Sequence, residues 1–477
     1  MTKRLGFLLA YFLGFITLVA KFPATAQASQ PSLPKARSRV CAACLRAHEE
    51  FLASDALRGR GSGTHDELLA ITYVASQLRQ YGIAPAGDGG GYVQHVSVVE
   101  EVITTPPQLS INVPGDAHPL LWTSGKEFQA VMLAQTDFSG ALQHIEAGTN
   151  KTAVKRGAIV LLSGDGAQVR SAVPGILTKG AAGVLTAMSA KAEASLATSS
   201  PIPESPMHVE GIHLGRPGGL NLLRFSSAAF QSLSQLPEGT TLHFTATSQP
   251  RRRETWNALG ILRGNDPSAH GAVLLSAHVD HLGVGAAVNG DDIYNGADDD
   301  ASGTTAVLEL ARVLGRGPRP RRMVIFALFG SEETGGLGST YFREHSPVPL
   351  KDIAANLEVE MIGRRDPSVR GDTLWLTGWE RSNLGPELAS HGALLVADPH
   401  PGEDFFRRSD NYLLALDGVV AQTISSYGLH GDYHQPSDDL AHLDFPHMDV
   451  AITSLIPAIE WLVNSDFRPQ WHVGGQP

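Results

Sequence analysis

The stretch that decides the fold reads Ala272-Val-Leu-Leu-Ser-Ala-His278, then Gly296-Ala-Asp-Asp-Asp-Ala-Ser-Gly303, then Leu308-Glu-Leu-Ala-Arg-Val-Leu314, then Met323-Val-Ile-Phe-Ala-Leu-Phe329. Its first and last pieces are short, continuous apolar runs, the pattern of strands buried on both faces. Between them Val307, Leu310, Ala311 and Leu314 recur at helical spacing, with Ser302 as N-cap and a stop before Gly315 and the Pro318/Pro320 segment. Strand, helix, strand is a βαβ crossover, which predicts a doubly wound α/β domain with a mostly parallel sheet and helices on its faces.

Working outward, histidines and carboxylates recur where strands hand over to loops. They are His278 with Asp280, Asp298 with Asp299, Glu332 with Glu333, Glu360, and Tyr433-His434. Open α/β sheets bind ligands beyond the carboxyl ends of their strands, so these positions converge on one candidate site. Imidazoles and carboxylates together are zinc chemistry. His281, His430 and His442 lie near the same motifs by sequence proximity alone.

The order of these motifs, from His278-Val-Asp280 through Gly296–Gly303, Phe329-Gly-Ser-Glu-Glu333, Asn356-Leu-Glu-Val-Glu-Met-Ile-Gly363 and Arg408-Ser-Asp410 to Tyr433-His434 and Pro436-Ser-Asp438, resembles the M28 metallopeptidases, zinc exopeptidases of the aminopeptidase type. The resemblance covers residues from about 255 to the end. It implies two zinc ions bridged by Asp298, one completed by Glu333 and His434 and the other by His278 and Glu360. It implies Glu332 as general base, which demands a turn so that Glu333 can point elsewhere. Asp280 would fix the His278 tautomer, Asp299 would support the bridging ligand, and Tyr433 would donate to an oxyanion.

One position departs from the family pattern. Glu360 stands where these aminopeptidases usually carry Asp before Met-Ile-Gly, and Glu358 lies two residues earlier on the same strand face. The expected activity is removal of N-terminal residues from peptides. A carboxypeptidase or dipeptidase remains open, with Arg364, Arg407 and Arg408 as candidate carboxylate binders. A glutaminyl cyclase fits less well, since such relatives use one zinc, and a receptor-like protein on a dead scaffold would have lost ligands that this chain keeps.

Lys3 and Arg4 precede an apolar run from Leu5 to Ala20, with small residues at Ala24, Ala26 and Ala28, which predicts a cleaved export signal over 1–28 and a secreted or periplasmic protein without stable membrane insertion. Cys41 and Cys44 are the chain's only cysteines; export favours a local disulfide, and two free thiols in a helical turn are the alternative. The remaining divisions are 29–105 as the N-terminal part of the peptidase domain, 106–249 as a β-rich insert and 250–477 as the catalytic domain. Lys155–Leu162 and Lys179–Val184 give the insert a resemblance to protease-associated (PA) domains. With 477 residues, 42% of them hydrophobic, the chain can bury a large core. A net charge of −11 argues against nucleic acid as a partner and leaves peptides as the expected one.

Overall fold

The computed structural model describes residues 40–149, 153–212, 221–269 and 271–477, so the expected leader lies outside it. The two apolar runs form parallel neighbours, Ala272–His278 and Val324–Phe329. Alternate side chains explain why both runs are apolar throughout. Val273, Leu275, Ala277, Val324, Phe326 and Leu328 enter one core, and Ala272, Leu274, Ile325, Ala327 and Phe329 enter another. Helices Ala42–Leu52, His65–Gln80, Gly303–Arg316 and Phe445–Asn464 supply the first core; Leu337–His345 and Asn411–Leu416 supply the second. Each fully buried Leu or Val there contributes roughly 1.5–3 kcal/mol.

The crossover helix starts at Gly303 and runs through Gly315 to Arg316, beyond the expected stop. Gly315 is kept by packing, since a Cβ there would lie 2.2 Å from the Tyr81 carbonyl oxygen. Ser302 does not cap through its side chain; its hydroxyl instead donates to Asp298 O and accepts from Ile362 N.

Among the described residues the sheet has ten strands, and along it Val420–Ser425, Ile353–Val359, Ala272–His278 and Val324–Phe329 are parallel. Both margins turn antiparallel: Leu374–Leu376 joins Val420–Ser425 on one side, and the long Ser248–Leu262 joins Val324–Phe329 on the other. Ser248–Leu262 then pairs with Val93–Ile103, and that strand with Met207–Val209.

A second, eight-stranded sheet is built from residues 108–245, inside the expected insert, around Phe128, Phe138, Phe225 and Phe244. It is more mixed than the β-rich reading. Asp137–Glu146, Ile159–Ser163, Gly183–Ala187 and Leu222–Phe225 run parallel, with helices Gly166–Thr178 and Ser227–Ser234 beside them. Met207–Val209 leaves this segment to join the main sheet. Cys41 and Cys44 are joined as a disulfide at the start of the first helix. Among the described residues no helix is long and apolar enough to cross a membrane.

Helix Ala42–Leu52 carries a buried His48 whose Nδ1 lies 2.8 Å from the Tyr73 hydroxyl and whose Nε2 lies 3.0 Å from that of Tyr81. Burial lowers its pKa from 6.5 to about 4. A depressed folded-state value means that this stability is present above pH 6.5 and lost as pH falls toward 4, in total about 3 kcal/mol. Urea unfolding of wild type and His48→Gln should therefore diverge between these pH values, with wild type falling more steeply; parallel curves would refute the assignment.

Candidate metal centre

Three successive aspartates, 298 to 300, occupy the irregular turn before the crossover helix, and all are buried. Their carboxylates do different things. Asp300 gathers backbone amides from three segments, accepting from Gly303 N (2.9 Å), Met361 N (3.0 Å) and His278 N (3.3 Å). Asp298 accepts from Gly363 N at 2.6 Å and lies 2.9 Å from His430 Nε2. Asp299 alone turns into the site: Oδ1 is 3.2 Å from His278 Nε2 and Oδ2 is 3.2 Å from His434 Nε2. The carboxylate that faces both histidines is thus Asp299, one residue beyond the expected Asp298, whose own carboxylate meets the Gly363 amide and His430. Asp438 sets this arrangement by accepting from Asp298 N and Asp299 N.

The other expected residues gather around Asp299. His278, Asp299 and Glu360 form one group whose donor atoms lie within 4.8 Å of one another. A second such group is His281, Asp299 and Glu333, and His434 Nε2 approaches Glu333 Oε2 at 3.2 Å. Glu358 does not compete. It is fully buried, its Oε2 accepting from Asn411 N at 2.5 Å at the head of helix Asn411–Leu416.

After strand Val324–Phe329 the chain turns sharply, with Ser331 at φ +54° and Gly335 N and Gly336 N both donating to Glu332 O. That turn sends Glu332 and Glu333 in different directions. Asp280 holds it: Oδ1 accepts from Glu332 N (2.9 Å), and Oδ2 from Glu333 N (3.3 Å) and Ser62 Oγ (2.6 Å). Its expected partner, His278 Nδ1, meets the Asp280 backbone carbonyl at 3.1 Å and the carboxylate only at 3.7 Å. The Asp280 side chain therefore serves the Glu332–Glu333 turn.

The N-terminal segment braces the centre from behind. Arg60, fully buried, donates to the carbonyls of Leu52, Val279, Asn295 and Gly296. Gly59 beside it has φ +70°, and a Cβ there would sit 2.3 Å from Tyr294 O. Glu67 accepts from Ser331 N at 2.8 Å, one residue before Glu332. This segment lies in the expected N-terminal part of the peptidase domain, and the glycine-rich stretch Gly59–Gly63 does not by itself show which distant loops it ties together.

Electrostatics follow from burying so many acids together. Burial pushes the Glu332 carboxyl well above its usual range, opposed by His278 and reinforced by Asp410, Glu333 and Glu360. Glu360 is raised for the same first reason. Burial and Asp299 push Glu333 up as well, but the imidazoles of His281 and His434 outweigh them and hold it at about 2. Burial lowers His434, yet Asp299 and Glu333 raise it to about 10. His278 Nε2, His281 Nδ1, His434 Nε2 and Glu333 Oε1 are all buried without a hydrogen-bond partner. Orphaned nitrogen and oxygen donors aimed at shared points suit bound cations, and the mixed imidazole–carboxylate set suits zinc.

Two cavities adjoin the centre. A small one of about 40 Å³ is lined by Glu360, Met361, Trp375, Phe405, Arg408, Tyr427 and Tyr433. A cleft of about 1710 Å³ has Glu332, Glu333, Tyr433 and His434 on one wall and Met188, Ser189 and Arg224 of the second sheet's segment on the other. Tyr433 stacks on His434 with ring centroids 3.8 Å apart. His442 stands apart, exposed and 2.9 Å from Asp439. Arg364 meets Asp432 at 2.6 Å, Arg407 meets Asp404 at 2.7 Å and Arg408 meets Glu403 at 3.5 Å; Arg407 and Arg408 both line the cleft, and Arg408 lines the small cavity as well.

Residues 257–457 match the model of Peptidase family M28. An aminopeptidase of Pseudomonas aeruginosa is 33% identical over 131 residues, 27% of this chain and 22% of the relative. Aminopeptidase YwaD of Bacillus subtilis is 27% identical over 270 residues, 54% of each chain. The matched stretches thus span 22% and 54% of these two curated relatives. Among solved structures, BSAP, a zinc aminopeptidase from Bacillus subtilis, superposes with a TM-score of 0.50 at 18% identity, over 90% of this chain and 97% of that one. At this identity the superposition shows a shared fold.

Proposed function

We propose that the protein is an exported dizinc aminopeptidase that removes the N-terminal residue of peptides. The observation that carries this reading is the Asp299 carboxylate, shared between the group containing His278 and Glu360 and the group containing Glu333. Bound zinc would supply Lewis acidity toward the scissile carbonyl and a more acidic water. His278, Asp299 and Glu360 would hold one ion, and Asp299, Glu333 and His434 the other.

Glu332 accepts the proton of the attacking water as its oxygen bonds to the carbonyl carbon, then delivers that proton to the leaving amine as the C–N bond breaks. Asp280 and Glu67 fix the backbone on either side of Glu332. Tyr433, which lines the cleft beside His434, would donate to the carbonyl oxygen as charge develops there. The second sheet's segment, read as a PA-like domain, would form the far wall of the substrate cleft. Export is supported by the basic–apolar N-terminus and by the Cys41–Cys44 disulfide.

The direction of attack follows from charge. Glu332 and Glu333 line the cleft and Glu360 the small cavity that adjoins the centre, so carboxylates at that end would attract a substrate ammonium group and repel a carboxylate. Arg408 beside Glu360 favours the second reading, a carboxypeptidase or dipeptidase that holds a substrate carboxylate. The two separate on an aminoacyl anilide and on dipeptides. Acetylating the anilide's amine should lower kcat/KM about 10–100-fold, the loss of one charge-assisted contact. Acetylation without effect, together with loss of dipeptide cleavage on C-terminal amidation, would establish the second reading instead.

A further inference from the structure

We propose that His281 is a third imidazole ligand of the centre, joining Asp299, Glu333 and His434 on the ion away from Glu360; this rests on the two-ion reading above. The His281 ring is fully buried, and neither of its nitrogens has a hydrogen-bond partner. Its Nδ1 lies 2.8 Å from Glu333 Oε1 and 3.8 Å from Asp299 Oδ2, the two carboxylates that His434 Nε2 also approaches. The rings of His281 and His434 stand 5.6 Å apart at 73°, so the two imidazoles reach those carboxylates from different directions.

The chain is shaped to hold this ring in place. His281 N donates to Arg60 O, fixing the residue to the buried N-terminal brace. Gly296 comes so close that a Cβ would lie 2.5 Å from His281 Cγ, so only glycine lets the aspartate turn fold over the imidazole. A hydrogen bond from His281 to Glu333 is the competing account of the 2.8 Å contact; the pair is close enough to interact electrostatically, yet its arrangement misses hydrogen-bond geometry. A nitrogen lone pair and a carboxylate oxygen facing a common cation explain both the proximity and the missing bond. Zinc takes such ligands and expands from four to five coordination readily.

Full-chain protein loaded with cobalt in place of zinc tests this, because each coordinated imidazole then shows a paramagnetically shifted, exchangeable N–H proton signal. The expected result is two cobalt ions per chain and three such signals, from His278, His281 and His434. His281→Gln should lose one signal and bind one of the ions about 10–100-fold more weakly in a chelator competition. Two ions with two signals in the wild type overturn the ligand assignment while leaving the two-ion reading intact. A wild-type protein that takes up one ion or none overturns both. Should the variant fail to fold, the wild-type signal count decides alone.

Discussion

Glu332→Gln is expected to lower kcat by about 10²–10⁴-fold, the usual worth of a positioned general base, while metal content stays that of the wild type. The substitution is close to isosteric, and the backbone that positions it is held independently: Glu332 N donates to Asp280, and Ser331 N to Glu67. An amide keeps the shape and the substrate contacts but cannot take a proton from water. The loss should therefore fall on kcat, with KM little changed. The same logic separates the neighbouring residue. Glu333 stands against His281 and His434, so its replacement should release metal. A Glu332→Gln enzyme within about tenfold of wild type would remove Glu332 from the chemistry.

How much of this was legible in the sequence depended on whether a residue's role leaves a pattern. Strands Ala272–His278 and Val324–Phe329 were readable because both faces are buried, which writes an unbroken apolar run. The helix between them was readable from its 3.6-residue spacing, but its end was misplaced, since Gly315 is retained for a close approach to Tyr81, and the expected Ser302 side-chain cap is absent because that hydroxyl serves Asp298 and Ile362. His278, Glu332, Glu333 and Glu360 were legible as candidates because they stand at or just past the ends of strands Ala272–His278, Val324–Phe329 and Ile353–Val359, whereas His434, well beyond Val420–Ser425, was legible only through the order of the motifs.

The Asp298/Asp299 choice was not available in the same way. Three identical carboxylates in a row differ only in which backbone amides capture them, and those amides, Gly363, Met361 and Gly303, belong to other parts of the chain or to the following turn. His281 shows no periodic relation to His278, because the chain between them is neither helix nor strand throughout. Met207–Val209 is too short for its alternation to be read, so its departure into the main sheet was invisible. Asp280 was placed near the right neighbours, but its carboxylate serves the Glu332–Glu333 turn because the His278 ring is already met by a backbone carbonyl.

The central claim is that one carboxylate, Asp299, makes two metal sites into one centre. Its Oδ1 faces His278 and its Oδ2 faces His434, so an amide in its place cannot offer a ligand oxygen to both sides. Asp298 is a fair control. Its Asn variant retains an oxygen for Gly363 N and a polar contact for His430, while pointing away from the centre. The direct measurement is zinc bound per chain, by elemental analysis of the folded proteins after dialysis against a weak chelator. The account predicts two ions for the wild type and for Asp298→Asn, and at most one for Asp299→Asn. One ion in fully active wild type, or two in Asp299→Asn with loss in Asp298→Asn, would contradict it.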